Sequence, residues 1–162
     1  MAFNRVDFLG GQPISDTSTT AMHPVGFRVR AQDPILGDAE FVYVQGVAGG
    51  TTGALVTYGL RTGITSLTVA RSKGLVGVLQ SNLTAGLYGW AMVRGEATIQ
   101  VAGAVVAGSS VYLTATGGKV DDAVVAGDQV FGARFSTADG TPAANFAYIS
   151  IDQPFVGDTD NA

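Results

Sequence analysis

Few side chains here could do chemistry, and those few stand apart from one another. His23 is the only histidine and precedes Pro24 in a stretch broken by Gly and Pro. A general base needs an orienting partner and a nucleophile within reach. No such neighbours are suggested, so His23 reads as a structural or exposed loop residue. Asp121 and Asp122 are adjacent, and successive side chains on a strand point to opposite faces. Turn capping suits them better than a calcium site. The run GVAGGTTG at 46–53 superficially looks like a phosphate cradle. It joins two β-type runs, however, and lacks the helix N-terminus that would hold an anion. No GxSxG, GxGxxG or Walker pattern occurs. Lys119, after Gly117-Gly118, lacks the flanks of a carrier lysine and reads as an ordinary exposed one. Asn82-Leu83-Thr84 matches a glycosylation acceptor, which has meaning only in a secreted chain. Tyr88 and Trp90 flank Gly89 and project to the same side of a strand. They are either large core residues among small ones or, with Tyr112, an aromatic platform for sugar or a partner chain.

The elements that would position these residues are β-type. Between Leu87 and Asp121 short runs are cut at near-regular intervals by glycine. Ala91, Val93, Ala97, Ile99 and Val101 recur at period two, with Met92, Arg94, Glu96, Thr98 and Gln100 between them. That pattern predicts strands with one buried and one wetted face. Gly95 is expected as a bulge or bend between two runs, and Gly117-Gly118 as a two-residue hairpin turn. Further runs are EFVYVQGVA, GALVTYG, ITSLTVA, GLVGVLQ, VYLTAT, GKVDD, DQVFGARFS and NFAYISI. A spacing of about 8–12 residues indicates an antiparallel sandwich or barrel. The expectation is one all-β domain over 40–154, an extended N-terminal arm over 1–39 and an acidic tail over 155–162. The arm is polar and irregular, yet Phe3, Val6, Phe8, Leu9, Ile14 and Phe27 are more anchors than a solvated linker carries. It reads as a partner-bound arm or as a flexible leader.

Composition narrows the classes. The 162 residues suffice for one domain with a real core. Charged residues are 14% of the chain, against about 25% in an average domain. A surface so poor in charge is small or partly covered by other chains. A net charge of −4 with scattered Lys and Arg argues against nucleic acid as partner. No cysteine is present, which removes disulfides and thiol chemistry. The longest apolar run, VAGAVVA at 101–107, is far short of the ~20 residues that span a bilayer. MAFNRVDF has no apolar signal region, so a soluble chain made in a cytoplasm is expected.

The runs YGWAMVRGEATIQV, AGSSVYLTATGGKVDDAVVAGDQVFGARF and NFAYISIDQP, with HPVGFRVRAQDPILGDAEFVYVQGVA upstream, resemble the decoration or cement proteins of tailed-bacteriophage capsids. Together they are spread over roughly residues 23–154. The resemblance implies a small β-barrel or sandwich, usually trimeric, on the exterior of the capsid in the virion, clamping neighbouring major capsid subunits from outside. It carries over no catalytic, cofactor or metal residue, and implies no membrane or small-molecule partner. The arm residues Phe3, Val6, Phe8 and Phe27 are then candidates for capsid or subunit contacts. Two other readings are a tail or baseplate β-component and a carbohydrate-binding β-sandwich.

Overall fold

The computed structural model describes residues 4–5, by backbone alone, and 11–157. It is all-β, as expected, with no helix among the described residues. The strands are β1 (Asn4–Arg5), β2 (Arg28–Asp33), β3 (Gly37–Gln45), β4 (Leu55–Tyr58), β5 (Thr65–Leu67) and β6 (Gly74–Leu79). β7 (Tyr88–Gln100), β8 (Ser110–Leu113), β9 (Val120–Asp121), β10 (Gln129–Phe135) and β11 (Phe146–Val156) follow. They join in one sheet of order β1-β2-β3-β7-β6-β11-β10-β8-β9, with β4 on β6 and β5 on β4. Every strand pairing is antiparallel, and the path ends at β1 and β9 without closing.

β7 organises this arrangement. One of its edges takes β3; the other takes β6 along its first half and β11 along its second. After Asp152 pairs with Arg94, β11 departs from β7 and pairs Phe155 and Val156 with Leu75 and Gly74 of β6. The sheet forks there, and apolar side chains collect on both sides of the fork. Phe41, Tyr43, Val78, Trp90 and Met92 point into one cluster; Val42, Val44, Leu79, Ala91 and Val93 point into the other.

That double burial corrects the reading of one wetted face. It holds for Ala97 to Val101, but Met92 is as buried as Ala91 and Val93, so the first half of β7 is covered on both faces. Both halves form one strand. Val93 is the bulged residue, since Glu40 pairs with Arg94 and Phe41 with Met92. Gly95 beside it has φ 118°, and a Cβ there would lie 2.9 Å from the Ala39 Cβ. The hairpin expected at Gly117-Gly118 is also longer than two residues. β8 and β9 pair Leu113 with Val120, and residues 114–119 connect them. Gly118, at φ 75°, supplies the positive dihedral within that loop.

The expected boundary between residues 39 and 40 falls inside β3. β2 and β3 form a hairpin in full register from Arg28↔Val42 to Asp33↔Gly37, and β1 pairs with β2. Residues 155 and 156, expected in the tail, belong to β11.

Candidate interaction surfaces

The N-terminal segment is fastened from within. Gln12 is buried with all its polar groups partnered. Its amide Nε2 donates to the carbonyls of Asp16 (2.6 Å) and Tyr88 (2.9 Å). Its Oε1 accepts from Tyr43 Oη (2.6 Å) and Ser18 Oγ (3.1 Å). Its main-chain carbonyl accepts from Trp90 Nε1 at 3.1 Å, and its N–H donates to His23 Nε2 at 3.3 Å. His23 is therefore structural, seated among Phe27, Tyr43 and Trp90 with ring centroids 5.2–5.5 Å away. Phe27 is half-buried and packs on this same core. Phe3, Val6 and Phe8 lie outside the described residues.

Trp90 is 0% exposed, which removes it as a sugar platform and leaves the core reading. The GVAGGTTG run offers no cradle either. The amides of Gly46, Val47, Gly50 and Gly53 bond the carbonyls of Leu87, Leu83, Val47 and Leu79, and that of Thr52 bonds Asn82 Oδ1. Its glycines answer a packing need: a Cβ on Gly46 or Gly50 would lie 2.3 Å from the Leu83 carbonyl oxygen. Asp121 and Asp122 cap loops as expected, accepting from the N–H of Ala123 and of Val106 respectively. Desolvation raises the Asp121 carboxyl above its ordinary range, with neighbouring Asp122 adding to the effect and the Ala123 bond opposing it. No group of three or more His, Cys, Asp or Glu suited to a metal occurs among the described residues.

Two surfaces differ sharply in character. Across β2, β3, β7 and β11, Arg30, Glu40, Arg94 and Asp152 stand directly opposite one another in register. Their signs alternate along the row. Arg94 bridges Glu40 at 3.2 Å and Asp152 at 3.6 Å. Gln153 extends the network, donating to Glu40 and accepting from Arg28, which also donates to Tyr58 Oη. Beside the C-terminal end of β11 an apolar patch lies instead. Val124, Val125 and Phe155 are exposed there, and Phe155 stacks on Phe131 at 5.1 Å.

Compared with protein families and with curated proteins, the chain matches none. The apolar run VVAG at 124–127 belongs to this surface; by sequence it could form a helical turn, and it lies in the connection between β9 and β10. The Gln12 lock carried no signal at all, because a lone glutamine in an irregular polar stretch resembles any solvated one.

Proposed function

We propose that this chain is a non-enzymatic decoration protein that binds the outside of a tailed-phage capsid as a homotrimer and stabilises the head. The observation that carries the proposal is the uneven surface. An ion row of alternating sign crosses one face, while Val124, Val125, Phe131 and Phe155 form an uncharged patch of the kind that marks an interaction site. The segments resembling capsid decoration proteins support it further. They supply β2, β3 and β7 to β11, most of the continuous path through the sheet. Phe3, Val6 and Phe8 would add contacts to the major capsid protein.

The test adds purified protein to expanded heads that lack it and, separately, to isolated tails, followed by sedimentation. Saturable binding to heads alone is the expected result. Binding to tails alone would reassign the protein to a tail or baseplate, and binding to neither would end the virion reading.

A further inference from the structure

The β2–β3 hairpin ends in an apolar tip, Pro34-Ile35-Leu36-Gly37. The buried carboxylate of Asp33 accepts the backbone N–H of Ile35 at 2.8 Å and of Leu36 at 2.9 Å. These two bonds fix the tip, and Ile35 stands on it 90% exposed, more than any other large hydrophobic among the described residues. The backbone of the tip is thus set so that it presents an apolar side chain to solvent.

A socket of matching character lies elsewhere. Tyr112, Val124, Val125, Ala126 and Phe131 line a pocket of about 220 Å³ with no charged side chain in its wall. Val124 is 81% exposed at its mouth. The pocket is large enough for an isoleucine side chain and the start of its neighbour. Tip and socket sit at opposite ends of the sheet. Past the Glu40↔Arg94 pair, β3 runs back to its tip toward the C-terminal end of β7. Past Asp152↔Arg94, β11 runs toward the N-terminal end of β7, to the socket at Gly157. One chain cannot place its own tip in its own socket without unpairing β2 and β3.

We propose that the Ile35 tip of one copy seats in the Tyr112/Val124/Val125/Phe131 socket of a second copy, head to tail. Area favours a copy of this chain over an unrelated partner. A tip of four residues buries much less than the ~800 Å² per partner of a standard interface, so a lone contact would be weak. A second copy supplies both halves, and a closed ring lets each protomer use its tip and its socket together. The inference rests on the assembly reading above and specifies which surfaces make the ring.

The chain has no cysteine, so engineered thiols report without background. Ile35→Cys and Val124→Cys, both at exposed sites, are purified separately, mixed and oxidised, with Leu60→Cys replacing Ile35→Cys in the control mixture. The expected result is a disulfide between unlike chains in the first mixture and its absence in the control. The double variant should give covalent rings, and Ile35→Asp should reduce the solution mass to one protomer. If the unaltered chain is oligomeric while the first mixture fails to cross-link above the control and Ile35→Asp keeps the oligomer, the ring is built elsewhere. That outcome overturns this inference and leaves the capsid proposal standing. A chain that is monomeric in solution and cross-links in neither mixture also overturns it, and failure to bind heads would then remove the capsid proposal separately.

Discussion

Gln12 shows how much one residue can hold. It joins the segment at 11–23 to β3 through Tyr43 and to β7 through Tyr88 and Trp90. Replacing it with alanine takes the short acceptor from the buried Tyr43 hydroxyl, while the Tyr88 carbonyl keeps the Ser18 N–H at 3.0 Å. One unsatisfied buried group costs about 1–3 kcal/mol, so Gln12→Ala should lose about that much in denaturant unfolding. A loss within error would show that the segment is held by Ile14 and the aromatic rings alone. Tyr58 gives a second residue-level test. Burial raises its phenol above the ordinary value near 10, outweighing the Arg28 guanidinium that pulls it down. The fold thus favours the neutral phenol. That stabilisation is complete below the unfolded value and is lost as pH rises through the folded one. Tyr58→Phe should flatten the fall of melting temperature above about pH 10, although it also gives up the Arg28 bond. An unchanged slope would assign the alkaline loss to other groups. The sequence placed Tyr88 and Trp90 on one side of a strand but left core and platform open. Spacing gives a face; only the tertiary fork decides whether that face is covered.

At the scale of elements the sequence was more legible. The apolar runs from Glu40 onward fall on β3 to β11, and glycine marks the breaks between most of them. β2 was legible too, since Val29 and Ala31 alternate with Arg28, Arg30 and Gln32, but the surrounding Gly, Pro and Ser-Thr tract drew it into the supposed arm. β7 misled for a different reason: a strand buried on both faces carries no clean alternation. Its bulge depends on Gly95, where the positive φ and the closeness of Ala39 both exclude a side chain. Gly95→Ala should cost about 1–3 kcal/mol, read as a lowered unfolding midpoint, and an unaffected midpoint would mean that the bulge relaxes freely. Truncation tests the fastening. Removing residues 1–22 takes away Gln12 and buried Ile14 and should lower the melting temperature strongly. An unchanged melting temperature would contradict the fastening of residues 11–23.

The whole molecule sets an ion row across one face and an apolar socket at the far end of the sheet. Exposed ion pairs contribute little stability, typically about 0–1 kcal/mol. The row keeps that face in water. Composition shows the low share of charge but not which charges align, because strand register decides that. A ligand that binds the intact shell and not its dissociated subunits must stabilise the shell in proportion to occupancy. The most direct measurement adds the protein to expanded heads lacking it and follows DNA release with a dye during a temperature ramp. Release should move to higher temperature as occupancy rises and level off when the sites are full. Full occupancy with an unmoved release temperature would contradict the stabilising role.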